Sequence, residues 1–86
     1  MTNGRRVVII NRALAVAEVH GAATALATLN TLADDPRLAD YQPYWAARAE
    51  LLSRSGAHAD ANHAYDVAIG LEQDEAVRRV LQGKKA

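Results

Sequence analysis

The residues best able to perform chemistry in this chain are its histidines and the carboxylates near them. His58 and His63 are five positions apart, a spacing that does not bring two imidazoles to one helical face, as a spacing of four does. Asp60 and His63 are three apart and resemble an acid–base pair. No nucleophile and no third group that would orient the histidine accompanies them. Solvated surface side chains are therefore the simpler interpretation.

A second group of carboxylates, Asp34, Asp35 and Asp40, lies around Pro36. A calcium-binding loop needs ligands at alternating positions and a closing glutamate, and both are missing here. The chain also contains no cysteine, which excludes disulfides, thiol nucleophiles and zinc–thiolate sites. We therefore predict that the protein is not an enzyme and that it uses no metal and no cofactor.

Charge and hydropathy narrow the range of partners. The 86-residue chain has ten basic and ten acidic residues, a balance that argues against direct contact with nucleic acid. No apolar stretch reaches the roughly 18 residues of a membrane-spanning helix. Arg5 and Arg6 precede only the short apolar run Val7–Ile10, which is too brief for an export signal. The sequence predicts a cytoplasmic chain that does not contact a membrane.

The most informative pattern is a set of seven residues in the second half of the chain. They stand at offsets 0, 4, 7, 11, 16, 20 and 23: Trp45, Ala49, Leu52, Gly56, Ala61, Tyr65 and Ala68. This spacing is typical of a tetratricopeptide-like unit, in which two antiparallel helices meet through small residues. We expect Trp45, Leu52 and Tyr65 to be mutually close and largely buried, with Ala49 and Ala61 at the helix crossing. Gly56 would end the first helix in a left-handed conformation.

The sequence predicts five helices in a single all-α domain spanning residues 1–86, and four of the five segments show an apolar period of 3.6 residues. Their approximate bounds are 5–20, 22–33, 43–55, 58–71 and 74–82. Gly21 stops the first helix, Asp34 to Pro36 stop the second, and a connector over Arg37 to Gln42 leads to Pro43 in the first turn of the third. The β-branched run Val7–Ile10 also suits a strand, which is the alternative for that segment.

The helices are organised as a weak internal repeat. Gly21 and Gly56 each follow one helix and open another, and they are 35 residues apart, close to the tetratricopeptide period of about 34. The first unit lacks the tryptophan and the tyrosine. The expected architecture is therefore tetratricopeptide-like antiparallel helix pairs, forming a fragment of a right-handed α–α superhelix. Two pairs and a final helix fall below the roughly three repeats that such a stack needs, so we expect the chain to pack against something else.

Beyond the general spacing, one block is more specific. The segment from Asn11 to Gly21 reads NRALAVAEVHG, and the matches continue through Tyr41, Ala46–Leu52, Arg54, Gly56 and Ala64–Tyr65. These residues resemble the tetratricopeptide-like C-terminal extension of a group of extracytoplasmic-function RNA polymerase sigma factors, of the sigma-70 family. The resemblance covers about Val8 to Leu81, with its specific part in the first block. The ending Gly83 to Ala86 departs from the family, which continues with further arginines and leucines.

The resemblance implies a non-catalytic regulatory domain of a bacterial transcription initiation factor. It would modulate transcription initiation through contacts with the sigma core regions of its own protein or with RNA polymerase, and it would not contact DNA itself. The promoter-recognising regions of that family lie upstream, and none is present in this sequence. The alternative is a stand-alone tetratricopeptide adaptor that binds a partner peptide in its concave groove.

Six polar residues do not fit the packing pattern and are our candidates for lining that groove. They lie on the first and third helices, whose free faces form the concave surface in tetratricopeptide stacks: Asn11, Arg12, Glu18, Arg48, Glu50 and Arg54. Asn11 and Arg12 form a polar pair that would bind a peptide backbone or a carboxylate. The alternative is a structural ion pair between helices, formed by Arg48 with Glu18 or Glu50.

The first helix is apolar on more than one side, which typically marks burial on several sides. If it packs only on the second and third helices, Val8, Ile9 and Val16 face water. An exposed apolar patch of this kind usually marks an interface. We therefore expect this surface to dock on upstream regions of the parent protein, or to form a two-fold homodimer in the isolated domain.

Overall fold

The computed structural model describes residues 2–31 and 36–85, and within these ranges it is all-helical, without a strand. Five α-helices and one 3₁₀-helix follow one another: α1 Thr2–His20, α2 Ala22–Asn30, the 3₁₀-helix Pro36–Asp40, α3 Gln42–Arg54, α4 His58–Leu71 and α5 Glu75–Lys84. The predicted all-α fold and the number of α-helices are confirmed. Of the two alternatives for Val7–Ile10, the helix is correct and the strand is wrong, because the run lies inside α1.

The helix ends differ from the prediction by a few residues. α1 begins at Thr2 rather than Arg5, and α2 ends at Asn30. Thr31 caps α2, and its hydroxyl donates a hydrogen bond to the Thr28 carbonyl at 2.7 Å; the rest of the predicted second helix, residues 32 and 33, lies outside the described residues. α5 begins after Asp74, whose carboxylate accepts a hydrogen bond from the Ala76 N–H and so caps the helix.

Two glycines allow the short turns within the helix pairs. Gly21 alone separates α1 from α2, and Gly56 lies in the turn between α3 and α4. Their φ angles are +91° and +89°, a region that residues with a Cβ rarely adopt. The turn after α3 is closed by the Ala57 N–H, which donates to the Leu52 carbonyl at 2.9 Å. The sequence therefore located both turns correctly.

The segment predicted as a connector from Arg37 to Gln42 is largely a 3₁₀-helix and joins the core. Leu38 is only 2% exposed. The Tyr41 N–H donates to the Leu38 carbonyl at 3.0 Å, and the indole N–H of Trp45 donates to the Ala39 carbonyl at 3.1 Å. The 3₁₀-helix is thereby fixed to the start of α3. Pro43 lies in the first turn of α3, as predicted.

α3 is the central element, because it packs on α1, α2 and α4. One of its faces enters a first core cluster with α1, α2 and the 3₁₀-helix; its buried residues are Ile10, Ala13, Ala25, Leu29, Leu38, Tyr44, Ala47 and Leu51. Its other face enters a second cluster with α4 and α5; the buried residues there are Ala49, Ala61, Ala64, Tyr65, Ala68, Ile69 and Leu81. Trp45 packs against both clusters. The two halves of the chain are thus joined through a single helix.

The expected packing of the second unit is correct in its partners and partly wrong in its degree of burial. Trp45 and Leu52 pack on the same cluster as Tyr65, and the two alanines of the crossing, Ala49 and Ala61, are 0% and 1% exposed. Tyr65 is buried, whereas Trp45 and Leu52 are only half-buried. Because the alanine side chains at the crossing are small, α3 and α4 pack closely there. The larger side chains of Trp45 and Leu52 lie at the edge of this contact.

We predict that Ala61→Leu lowers the free energy of unfolding by about 1–3 kcal/mol, since three added carbons have no space at the crossing of α3 and α4. The control is Ala59→Leu, two positions away on the exposed side of α4, which should change stability by less than about 0.5 kcal/mol. Urea unfolding followed by circular dichroism measures both. Equal stability of the two variants would show that the pairing of α3 and α4 is wrong.

Candidate protein-interaction groove

A groove of about 290 Å³ lies between α1, α3 and α5, with Tyr65 of α4 at its base. Its apolar surface comes from residues of all four helices: Ile10, Leu14, Pro43, Ala46, Ala47, Tyr65 and Leu81. Several of these residues also belong to the first or the second core cluster. The groove therefore lies directly on the surface of the core. A largely apolar concavity with a few polar groups is the usual form of a binding site.

Four polar side chains line the same groove, and they come from three helices. Asn11 lies on α1, Gln42 and Glu50 on α3, and Lys84 on α5. Gln42 and Glu50 are half-buried, while Asn11 and Lys84 are exposed. Carboxamides both donate and accept hydrogen bonds, carboxylates accept and ammonium groups donate. The groove therefore offers every type of hydrogen-bonding partner within one apolar concavity.

A chain of charges links the three helices of the groove. Arg54 donates to Glu18 of α1 at 2.9 Å and to Glu50 Oε1 at 3.1 Å, and Lys84 Nζ lies 3.8 Å from Glu50 Oε2. The hydrogen bond to Glu18, together with the charge of Glu50, raises the pKa of the Arg54 guanidinium above its ordinary value. Because these charges cancel in pairs, the rim of the groove is electrically balanced.

This network corrects the expected structural ion pair. Arg48 does not bind Glu18 or Glu50; its guanidinium donates to the Asn30 side-chain oxygen at 2.9 Å and so ties α3 to the end of α2. Arg54 forms the pair between helices instead. It lies one turn after Glu50, the i, i+4 spacing at which side chains on a helix meet.

The other groove candidates fall into three groups. Asn11 and Glu50 line the groove, while Glu18 and Arg54 belong to the charge network beside it. Arg12 is exposed on α1 and is not part of the groove lining, so the structure does not bring Asn11 and Arg12 together in the groove. Successive residues of an α-helix are rotated by about 100° about its axis, so Asn11 lines the groove while Arg12 points away from it.

The groove also contains residues that the sequence prediction missed. Gln42, Tyr65, Leu81 and Lys84 line it, and two of these belong to α5. The predicted repeat could have indicated the residues of α5. If α1 and α3 line the concave side, then α5 occupies the corresponding place in the third unit.

The predicted interface on α1 is only partly exposed. Val8 is 57% exposed and Ile9 is half-buried. Val16 differs from the expectation that it faces water, because it is half-buried and packs on the first core cluster. Val19, which was not among the candidates, is 75% exposed. From residue 8 to the end of α1, the exposed large apolar side chains are Val8 and Val19.

The parts of the chain that the structure describes lack two further kinds of feature. They contain no cluster of three or more histidine, cysteine, aspartate or glutamate residues that would hold a metal ion. Among the helices of residues 2–31 and 36–85, none is long and apolar enough to span a bilayer.

Comparisons with models of protein families, with curated proteins and with solved structures found no match to this chain. The resemblance to the sigma-factor extension therefore rests on the residues quoted above.

The pKa of Tyr65 depends on its burial and on the charges in and beside the groove. Burial raises the pKa of its phenol above the ordinary value, the negative charge of Glu50 raises it further, and Arg54 lowers it. A raised pKa in the folded state means that this group's contribution to stability is complete below the ordinary tyrosine pKa of about 10. The contribution is lost as the pH rises through the folded-state pKa.

We predict that Glu50→Gln lowers the pKa of Tyr65, because a neutral side chain no longer opposes formation of the phenolate. Carbon-13 NMR of the labelled tyrosine ring, titrated from about pH 8 upwards, measures this shift directly. Asp66→Gln is the control, since Asp66 pairs with Lys85 instead. In urea unfolding, Tyr65→Phe should lose less stability than the wild type as the pH rises above about 10. A Tyr65 pKa unaffected by Glu50→Gln would contradict the proposed proximity of the two groups.

Proposed function

We propose that this chain is a non-catalytic protein-interaction domain whose groove between α1, α3 and α5 binds a segment of another protein or protein region. The observation that carries this proposal is the concave surface itself, which combines an apolar base with four polar side chains. Concave sites between packed helices are a common location for binding.

The parent protein that we propose is an RNA polymerase sigma factor of the extracytoplasmic-function group. Support comes from the NRALAVAEVHG block at the end of α1, together with the spacing of residues from Trp45 to Ala68. In such a protein, the groove would bind the sigma core regions or RNA polymerase and would modulate transcription initiation. The chain would then be bacterial and cytoplasmic.

The distribution of charge favours a protein ligand over nucleic acid. Positive and negative residues are equal in number. Three basic side chains in the described part of the chain form ion pairs with carboxylates at 3.2 Å or less: Arg54, Arg78 and Lys85. Binding to nucleic acid depends on cations that neutralise phosphates, and paired cations do this poorly. We accordingly assign no nucleic-acid contact to this domain.

The alternative is a stand-alone adaptor, and the same groove favours it, because peptide binding there needs no sigma factor. The coding sequence separates the two possibilities: sigma regions upstream in the same reading frame establish the first, and their absence establishes the second. Both possibilities require an occupied groove, so one binding experiment tests the shared proposal.

We predict that Asn11→Arg abolishes binding of the chain to its partner, because a long charged side chain would fill the groove between α1 and α3. The control is Ala15→Arg, which adds the same side chain one turn further along α1, at an exposed position outside the groove. Isothermal titration calorimetry with the upstream sigma regions, and separately with core RNA polymerase, measures both variants.

Retained binding by Asn11→Arg would place the contact elsewhere on the surface. Loss of binding by both variants would indicate that the partner also contacts α1 outside the groove. Unfolding curves recorded for both variants confirm that each remains folded.

We also propose that the outer face of α1, the side that carries Val8 and Val19, mediates self-association of the isolated domain, since these two valines are 57% and 75% exposed. Sedimentation velocity at increasing concentration should show a monomer–dimer equilibrium, and Val19→Lys should shift it towards the monomer. Val80→Lys, on α5, is the control: it removes an exposed valine elsewhere and should leave the equilibrium unchanged. A wild-type chain that stays monomeric at high concentration would remove this proposal.

A further inference from the structure

The groove contains an acceptor and a donor that face each other without forming a hydrogen bond. Glu50 Oε1 accepts from Arg54 at 3.1 Å. Glu50 Oε2 faces Lys84 Nζ at 3.8 Å, which is longer than the usual donor–acceptor distance of about 2.7–3.2 Å. The pair thus has an oxygen that can accept and an ammonium group that can donate, one on α3 and the other on α5.

This arrangement complements the backbone of one extended residue. In an extended chain, the N–H and the C=O of the same residue point to the same side, and a residue in an antiparallel sheet exchanges both with the residue opposite. Glu50 Oε2 can accept from such an N–H while Lys84 Nζ donates to the C=O. Charge-assisted hydrogen bonds of this kind are stronger than neutral ones.

The base of the groove indicates which side chain would accompany this residue. Ile10, Tyr65 and Leu81 line it and are each no more than 6% exposed, so they form a firm apolar surface rather than a loose patch. The volume of about 290 Å³ is at the lower end of the range of about 300–1,000 Å³ for small-ligand sites. This space fits one apolar side chain with its flanking backbone.

A charged side chain is disfavoured at the same position, because it would lie on the apolar base of the groove and burying a charge without a partner costs free energy. Glu50 is also held in place by Arg54, which Glu18 of α1 binds in turn. The acceptor is therefore oriented before the ligand arrives, which reduces the entropic cost of binding.

We propose that the groove recognises a single extended residue with an uncharged apolar side chain: Glu50 accepts from its N–H, Lys84 donates to its C=O, and its side chain lies on Ile10, Tyr65 and Leu81. This proposal rests on the proposed function, in which the groove binds a protein segment, and it specifies the chemistry of that segment.

The test uses small capped amino acids, titrated into nitrogen-15-labelled protein and followed by NMR. N-acetyl-leucine N-methylamide contains the full recognition unit, and it should cause saturable shifts of the backbone amides of Glu50, Leu81 and Lys84. Methylation of the leucine nitrogen removes the N–H and should weaken binding by about fivefold, the factor that corresponds to ~1 kcal/mol for one hydrogen bond. The glycine analogue, which lacks the side chain, and the aspartate analogue, which is charged, should not produce saturable shifts.

The matched protein variants are Lys84→Met and Arg79→Met, both on α5. Lys84→Met removes the donor and should weaken binding of the leucine compound by about fivefold. Arg79→Met removes an exposed charge that is outside the groove lining and should bind as the wild type does. If the methylated compound binds the wild type as tightly as the parent compound does, and Lys84→Met binds the parent compound as tightly as the wild type does, the pairing is overturned while the groove remains a binding site.

If no compound shifts the backbone amide resonances of the groove residues, up to the limit of its solubility, the proposed recognition of a single residue is overturned. That result does not decide the proposed function, because binding of the larger partner is measured separately with Asn11→Arg and Ala15→Arg. The two proposals can therefore fail independently of each other.

Discussion

The structure depends on α3, which buries two faces at once. Tyr44, Ala47 and Leu51 enter the first core cluster, and Ala49 enters the second. A helix between two layers can accept neighbours on both sides only if its side chains are small where the backbones come close. Alanine provides this closeness but buries little apolar area per residue. The core is therefore thin, and the two clusters are held together largely by the shared helix and by Trp45, which packs on both.

Because the core is thin, the same residues contribute both to the stability of the fold and to the base of the groove. Ile10, Tyr65 and Leu81 are buried core residues, and they also form the base of the groove. A substitution at any of them would change stability and binding together. The polar rim is different, because Asn11 and Lys84 are exposed and contribute little to the core. Function can therefore be probed at the rim without unfolding the chain, which is why the informative substitutions lie there.

Features fixed by local chemistry could be predicted from the sequence. The apolar period of 3.6 residues identified four of the five helices, and the need for positive φ placed the turns at Gly21 and Gly56. Side-chain partners are decided by distances of a few ångströms, which the sequence does not encode locally. Arg48 and Arg54 are equally plausible partners for Glu18 by type and by helix, and only the geometry selects Arg54. The half-burial of Trp45 has a similar cause, since its indole N–H bonds to Ala39 at the edge of the core.

α5 contributes to the groove although its sequence lacks the tetratricopeptide spacing. Only one unit has the full tetratricopeptide spacing, yet α5 brings Leu81 and Lys84 to the surface that α1 and α3 begin. Leu81 fixes the helix by burial in the second cluster, and the ion pair of Lys85 with Asp66 joins its end to α4. With its end fixed, α5 places Lys84 across the groove from Glu50, at a separation that leaves both groups able to bind a ligand. A short final helix that adds only one residue to the core thus supplies the second wall of the groove.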